Sequence, residues 1–298
     1  MKKLVFIFIF FILIIFSCLH PEKALGASKQ GILVWFNQIL PSLLPFSILS
    51  GILFRSKFVS DLGDHSHLFS ILLTLVCGFI FGFPIGAKLA TDFYSQSLLS
   101  RRQATILCIT ANNFSTMYVC GYVLPTLFPD QNLKHVTYLL LYITPFIACI
   151  LLLIFCRQTT KINTQKKSAS RFQLDMQIID AGIISGFEAL IKICGYIVLF
   201  SLITQLICHY WYNNTLINNI LLGNLEITNG IQQLQYNNNL SQPTKYIIAI
   251  QLLSFGGISG LTQTASIMKS TDLSIKSYAI GKLILSIIIT ICTIFFIL

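Results

Sequence analysis

The sequence predicts an all-α polytopic membrane protein built from inverted repeats with two re-entrant helical hairpins. Of its 298 residues, 55% are hydrophobic and only 10% are charged, whereas a soluble domain carries about 25% charged residues. The mean hydropathy is +0.77. Apolar runs of membrane-spanning length recur along the chain, and two further apolar segments are interrupted by glycines and a charged residue. The apolar composition and the long apolar runs predict the membrane helices, and the two interrupted segments predict the hairpins.

The full spans predicted from the apolar runs are Leu4–Leu19, Gly31–Phe54, Gln103–Leu127, Val136–Phe155, Ile178–Ile207, Tyr246–Met268 and Ile275–Leu298. The first run follows Lys2 and Lys3 and precedes the small residues Ala24, Gly26 and Ala27, which also fits a cleavable signal peptide. We favour an uncleaved first span.

The two interrupted segments are Leu68–Leu99 and Leu216–Leu234. The first breaks at the sequence GFPIGAK, Gly82–Lys88, and the second at GNLEITNG, Gly223–Gly230. Backbone can leave a helix inside a bilayer only where protein or a water-filled cavity satisfies its polar groups. Paired breaks of this kind point to the substrate site of a transporter.

The distribution of basic residues favours a hairpin over a full span for Leu68–Leu99. If this segment crossed the membrane once, Arg101, Arg102 and the basic loop at 157–171 would lie outside. If it is re-entrant, these residues lie inside together with Lys2, Lys3, Arg55, Lys57, Lys269 and Lys276, and only Lys23, Lys29, Lys134 and Lys245 lie outside. Cytoplasmic loops carry the excess of Lys and Arg, so the hairpin is the better prediction.

The order of elements repeats in one integral membrane domain. Residues 1–30 form an N-terminal span and outer loop, 31–156 membrane repeat 1, 157–175 a basic cytoplasmic linker and 176–298 membrane repeat 2. Each repeat contains a span, a broken segment, a span with a polar centre and a plain span. The first span runs inward in repeat 1 and outward in repeat 2, which predicts inverted repeats and a site near the midplane.

The break at Gly82–Lys88 supplies the first candidate substrate-binding residues. Gly82 and Gly86 permit unusual backbone geometry, and Pro84 ends the incoming half-helix. The next half-helix presents free N–H groups to an anion, and Lys88 adds a positive charge. A lysine at the bilayer centre costs at least about 2.5–3.5 kcal/mol, which suggests a functional role. The alternative is a local ion pair between Lys88 and Asp92.

Two polar-centred spans supply further candidates. Asn112, Asn113 and Ser115 lie in the middle of the first, where they would line a cavity or, alternatively, join helices by hydrogen bonds. Gly256, Gly257, Ser259 and Gln263 lie in the second. A glycine cluster is unfavourable in a continuous helix, so an unwound stretch is predicted, with close helix packing as the alternative.

The second break places an acid beside hydroxyl and amide groups. Glu226 and Thr228 are candidate substrate-site residues. Glu226 would contact a coupling cation or proton, or would neutralise Lys88 in the empty state; the alternative is an exposed loop. Lys282 is expected to snorkel from the inner end of the last span to the lipid headgroups.

Other function classes find no support in the sequence. HExxH, G-x-S-x-G and P-loop motifs are missing, so no enzyme, cofactor or metal site is predicted. The formal charge of +10 comes from short loops, where basic residues orient a membrane protein, and nucleic acid is not an expected partner. The nine cysteines contain no CxxC pair.

Four segments carry a family resemblance that covers most of the chain from about Gly31. They are Pro41–Phe46 (PSLLPF), Gly82–Lys88, Gly223–Gly230 and Ser254–Ser259 (SFGGIS) with Gln263. In their order and spacing the chain resembles the YlbJ (SpoVV) sporulation integral membrane proteins, part of the nucleoside-recognition or Gate domain group. The resemblance implies a fold similar to concentrative nucleoside transporters and the movement of dipicolinic acid across the outer forespore membrane.

The expected function is therefore a permease for a small planar anion, with dipicolinate as the first choice. The expected partners are this solute and the lipid bilayer, and a homo-oligomer is compatible with the sequence. The expected location is the bacterial cell membrane, or the outer forespore membrane if the host sporulates. The alternatives are a nucleoside-type permease and a non-transporting scaffold for spore-envelope assembly.

Overall fold

The computed structural model describes residues 2–56, 67–129, 132–155, 175–211 and 216–297, and the regular elements in these ranges are all helical. Five helical segments are long and apolar enough to cross a membrane: Pro21–Leu53, Lys134–Phe155, Met176–Trp211, Gln242–Met268 and Ile275–Ile297. Many Ile, Leu and Phe side chains on their surfaces are exposed, as lipid-facing residues would be. The all-α, membrane-type fold is thus confirmed.

The N-terminal region is more helical than the sequence predicted. Helix Lys2–Leu19 is followed directly by helix Pro21–Val34, a π-helical turn at Trp35–Ile39 and helix Leu40–Arg55. The predicted outer loop before Gly31 was therefore wrong from residue 21 onward. Pro21 is favourable in the first turn of a helix, and the residues that follow are mostly good helix formers.

The first broken segment is a helical hairpin. Its arms are helices His67–Phe81 and Ile85–Ser95. A Cβ atom added at either Gly78 or Gly86 would collide with the carbonyl oxygen of Ala111. Since one atom touches both arms, the chain folds back at residues 82–84. Entry and exit of this hairpin on one side of the membrane stay a prediction.

The second broken segment is also a helical hairpin, formed by helices Leu216–Leu225 and Ile227–Tyr236. A Cβ atom on Gly230 would overlap the Cα atom of Gly223. The two arms therefore cross at these glycines, which explains why the sequence has a glycine at each end of GNLEITNG.

Each hairpin is followed by a broken helix and a plain helix. The first broken helix is Arg101–Ala111, a non-helical stretch at 112–115, and a second part built from Thr116–Tyr118, a π-helical turn at Val119–Val123 and Leu124–Leu127. The second is Gln242–Phe255 followed by Gly257–Met268, with Gly256 at φ +92° between them. The plain helices are Lys134–Phe155, which contains a π-helical turn at Leu139–Ile143, and Ile275–Ile297. The repeated order agrees with the predicted repeats, whose inversion stays a prediction.

The longest helix, Met176–Trp211, packs along Leu40–Arg55. Gly182 lies against Ile52 and Gly186 against Ile48, and a Cβ atom at Gly182 would come within 2.8 Å of the Ile52 backbone nitrogen. The two backbones therefore approach closely. The basic loop predicted at 157–175 lies outside the described residues except for Asp175.

Candidate substrate site

The turns of both hairpins and the breaks of both helices meet in the middle of the protein. Gly82, at the first hairpin turn, lies against the backbone of Ser115 in the first broken helix. The ring of Phe83 lies 3.9 Å from the position of a Cβ atom on Gly260, in the second broken helix. At the second hairpin turn, Ile227 similarly lies 3.2 Å from a Cβ placed on Gly257.

A small cavity of about 50 Å³ lies at this meeting point. We call it the central cavity. The predicted site residues that line it are Ser115, Glu226, Thr228, Gly256, Ser259 and Gln263. The other lining side chains are mostly apolar or aromatic, including Leu43, Phe83, Phe114, Tyr118, Ile193 and Ile197. The polar residues that line this cavity are thus among the predicted site residues, and the apolar and aromatic ones are not.

Glu226 carries the only charge among the described residues that line the central cavity. It is 4% exposed and forms the N-cap of helix Ile227–Tyr236. Its Oε2 accepts a hydrogen bond from the backbone N–H of Asn229 at 2.8 Å, and its Oε1 accepts one from the Thr228 hydroxyl at 3.0 Å. The expectation of an exposed loop at this acid is therefore excluded, because the carboxylate is buried and holds the start of a helix.

The two broken helices start their second parts differently. The hydroxyl of Ser115 accepts a hydrogen bond from the backbone N–H of Tyr118 at 3.2 Å and so caps its helix. The helix that begins at Gly257 has no side-chain cap. Gly256, Ser259 and Gly260 around this start all line the central cavity, so the positive end of the helix dipole faces the cavity.

Lys88 lies outside the central cavity. It lines a second cavity of about 80 Å³, the lysine cavity, together with Ser47, Ser50, Pro84 and Ser185. Leu43, Phe83 and Ile193 line both cavities and form the partition between them. The sequence suggested that Glu226 could neutralise Lys88, but the structure places the two charges in different cavities. Asp92, one turn beyond Lys88, interacts with it electrostatically.

Asn112 and Asn113 also point away from the central cavity. The Asn112 amide donates hydrogen bonds to the hydroxyls of Tyr278 at 3.0 Å and Thr264 at 3.2 Å. The Asn113 amide donates to the carbonyl of Thr110 at 2.6 Å. Asn112 therefore joins the first broken helix to the rest of the bundle, and Asn113 does so through its Oδ1, which accepts a hydrogen bond from Lys282. Joining of helices was the alternative interpretation of these residues.

Lys282 is the most unexpected residue of this network. It is 1% exposed, and its Nζ donates a hydrogen bond to Oδ1 of Asn113 at 2.8 Å. The prediction that it snorkels to the headgroups was wrong. Lys282 lies two helical turns inside Ile275–Ile297, about 10 Å from the helix start. The sequence signal was present: a lysine this deep in an apolar run needs an internal partner.

The remaining predicted residues lie at the helix breaks and do not line the central cavity. Gly86 lies against the Ala111 carbonyl, and Gly82 and Gly257 have positive φ angles of 73° and 67°. Pro84 precedes the second arm of the first hairpin. Among the residues that the structure describes, no group of three His, Cys, Asp or Glu side chains is close enough to hold a metal ion.

One face of helix Met176–Trp211 forms part of the wall of three cavities. Ser185, Ala189 and Ile193 line the lysine cavity, and Ile193 and Ile197 line the central cavity. Ser201, Thr204, Gln205 and Cys208 line a third cavity of about 230 Å³, which we call the amide cavity because Gln30, Asn229, Gln232, Gln233 and Asn237 also line it. These positions recur mainly every fourth residue, the spacing of one helix face.

Comparison with known proteins identifies one curated relative. The chain is 25% identical over 309 aligned positions to the sporulation integral membrane protein YlbJ of Bacillus subtilis (strain 168). The alignment covers 89% of this chain and 75% of the relative. The chain is therefore similar to YlbJ over most of its length. The resemblance predicted from the four sequence segments is thereby confirmed, as is the integral membrane character. No family model and no solved structure matches the chain.

Proposed function

We propose that the chain is a membrane permease for a small planar anion, with dipicolinate as the first candidate. The observation that supports this function best is the meeting of two hairpin turns and two helix breaks at one cavity that contains a buried carboxylate. Interrupted helices inside a membrane protein need a reason to expose backbone groups, and a solute site supplies one. The choice of dipicolinate rests on the family resemblance and on the sporulation relative.

In this proposal Glu226 acts on the coupling ion rather than on the solute. A buried carboxylate repels an anionic solute, and a bound cation or proton removes the repulsion. Glu226 lies in the central cavity, so its charge would decide when an anion can occupy that cavity. Anion transport is then coupled to the movement of the cation or proton.

Lys88 would bind a carboxylate of the solute on the other side of the Phe83 partition. The lysine cavity is lined by Lys88 and Ser47, whose ammonium and hydroxyl groups are suitable donors to a carboxylate. The solute would pass between the two cavities when Leu43, Phe83 and Ile193 separate.

The central cavity is too small for the solute in the conformation described. Its volume of about 50 Å³ is far below the about 300–1,000 Å³ of typical ligand pockets. Transport therefore requires the hairpin turns to move apart. The conformation is an occluded state in this proposal, and one or both ends open during the transport cycle.

Uptake of labelled dipicolinate into proteoliposomes tests the function. We expect wild-type uptake above that of empty liposomes, an about tenfold higher KM for Lys88→Ala, and loss of the response to an imposed ion or proton gradient for Glu226→Gln. Lys269→Ala, which removes an exposed lysine at a helix end, is the matched control and should behave as wild type. Equal KM values for wild type and Lys88→Ala would remove Lys88 from the mechanism.

Competition distinguishes the alternatives. Unlabelled aromatic dicarboxylates should inhibit dipicolinate uptake, and nucleosides should not. Inhibition by nucleosides alone would favour a nucleoside permease. Wild-type uptake no faster than that of empty liposomes would contradict the permease proposal and leave the scaffold alternative.

A further inference from the structure

A groove on the surface beside the second hairpin carries features of an anion site. It has a volume of about 530 Å³ and lies between helix Pro21–Val34, the π-helical turn after it, and helix Ile227–Tyr236. We call it the vestibule. Its polar lining includes Lys29, Gln30, Asn37, Gln38, Tyr122 and Gln235. Lys29 carries the only charge among the described residues that line it.

Tyr122 supplies an independent sign of a ligand. The side chain is 4% exposed, it lines the vestibule, and its hydroxyl has no hydrogen-bond partner. A buried hydroxyl without a partner costs about 1–3 kcal/mol. This cost is recovered when a solute in the vestibule accepts a hydrogen bond from the Tyr122 hydroxyl.

The donors of the vestibule match a carboxylate. Lys29 offers an ammonium group, Tyr122 a phenolic O–H, and the glutamine and asparagine side chains offer amide N–H groups. Because the charged donor is a lysine and no acidic side chain lines the groove among the described residues, the vestibule favours an anion over a cation.

An aromatic series connects the vestibule to the central cavity. The ring centroids of Tyr122 and Tyr118 are 5.4 Å apart, those of Tyr118 and Phe114 are 5.1 Å apart and stacked, and those of Phe114 and Phe83 are 6.1 Å apart. Tyr118, Phe114 and Phe83 line the central cavity. These distances are typical of contacting aromatic pairs, so the four rings form a continuous aromatic series from the vestibule to the central cavity.

We propose that the vestibule is an access site for aromatic carboxylates, in which Lys29 and Tyr122 bind the carboxylate and the aromatic series guides the ring toward the central cavity. This inference rests on the proposed function and adds the point at which the solute first binds. Glu226 lies in the central cavity, at the inner end of this route, so its neutralisation would let the carboxylate move on from the vestibule.

The test measures dipicolinate uptake by the full chain in oriented proteoliposomes with the solute supplied on either side. Tyr122→Phe removes only the hydroxyl, and Lys29→Gln removes only the charge. We expect each variant to raise KM about five- to tenfold, with little change in maximal rate, when the solute is supplied on the side of Lys29. When dipicolinate is supplied on the opposite side, each variant should have the wild-type KM.

Lys23→Gln is the matched control. Lys23 lies on the same helix as Lys29 and contacts His209 at 2.7 Å without lining the vestibule. The Lys23→Gln substitution should leave the KM for dipicolinate unchanged. An aliphatic dicarboxylate should compete more weakly than an aromatic one for the wild type. Tyr122→Phe is conservative, and monodisperse elution from size exclusion establishes that each variant is folded.

The outcomes separate the two proposals. Wild-type uptake with an unchanged KM in both variants overturns the vestibule site and leaves the permease intact. An equal rise in KM from both sides also overturns it, because a vestibule reaches one side only. Absence of wild-type uptake overturns both proposals.

Discussion

The Nζ of Lys282 lies 2.8 Å from Oδ1 of Asn113, in the interior of the helix bundle and at the break of the first broken helix. This hydrogen bond joins the last helix of the second half to the interrupted helix of the first half. One turn before Lys282, Tyr278 bonds Asn112. Two successive turns of the last helix therefore hold two successive asparagines.

The first prediction concerns this pair. Asn113→Leu leaves the Lys282 ammonium without a partner, and a hydrogen bond to a charged group contributes about 1.5–3 kcal/mol. We expect a clear loss of thermal stability in detergent. The double variant Asn113→Leu with Lys282→Met removes the charge as well, and should recover most of the loss.

A thermal-melt double-mutant cycle measures the coupling. The matched control pairs Asn113→Leu with Lys269→Met, an exposed lysine, and should show no recovery. If the effects of Asn113→Leu and Lys282→Met simply add, the buried pair makes no energetic contribution and the prediction fails.

The second prediction concerns the first hairpin turn. Gly82 has φ +73°, and a Cβ atom there would overlap the backbone of Ser115. An alanine in the left-handed region costs about 1–2 kcal/mol, and the overlap adds to it. Gly82→Ala should therefore lower thermal stability and uptake together.

Gly195→Ala is the control for this change. Gly195 lies inside helix Met176–Trp211 with no atom within 4 Å of an added Cβ, so alanine should stabilise the helix by roughly 0.5–1 kcal/mol. A Gly82→Ala protein that melts at or above the temperature of Gly195→Ala would show that the turn tolerates a side chain.

The third prediction concerns the side of the membrane on which the first hairpin ends. If residues 68–99 enter and leave from one side, Arg55 and Arg101 face the same compartment. Single cysteines at Arg55 and Arg101 in a cysteine-free background should be labelled by an impermeant maleimide from the same side, and a cysteine at Lys134 from the other. Labelling of Arg55→Cys and Arg101→Cys from opposite sides would rule out a re-entrant hairpin.

The fourth prediction concerns pH. Asp272, in the short connection before the last helix, accepts a hydrogen bond from the Tyr94 hydroxyl at 2.6 Å and lies 3.6 Å from the Arg101 Nε. The Tyr94 hydrogen bond, followed by the Arg101 charge, lowers the pKa of the Asp272 carboxyl. A lowered pKa gives stability that is present above the unfolded-state pKa and is lost as the pH falls through the folded-state value.

Asp272→Asn should therefore melt below wild type near neutral pH, and the difference should shrink as the pH is lowered from about 5 to about 3. Asp272 and Arg101 are both exposed, so the difference in melting temperature is expected to be small. Melting curves of both proteins across this pH range provide the measurement. A difference that stays constant across the range would contradict a role for the ionised carboxyl.

The positions of the breaks could be predicted because they depend on local chemistry. Glycine, proline and asparagine residues at 82–84, 112–115 and 256–257 interrupt the helices, and these residue types are unfavourable in helix interiors whatever surrounds them. Glu226 was also proposed as a site residue, because it lies in the break between Gly223 and Gly230, but only the structure decides between a buried acid and an exposed loop.

The direction of each side chain could not be predicted in the same way. Successive helix residues are rotated by about 100°, so the face that Lys88 or Asn113 presents depends on which helices surround it. Lys88 faces the lysine cavity and Asn113 faces Lys282. These neighbours come from distant parts of the chain, and sequence spacing alone carries no information about them.

The shared wall on helix Met176–Trp211 has a mechanical consequence. One continuous rod borders the lysine cavity near its start, the central cavity at its middle and the amide cavity near its end. A small tilt of a stiff rod about its midpoint swings its two tips in opposite directions. Such a tilt would widen the lysine cavity as it narrows the amide cavity, or the reverse, so that a passing molecule would be open to water at only one end of the helix at a time.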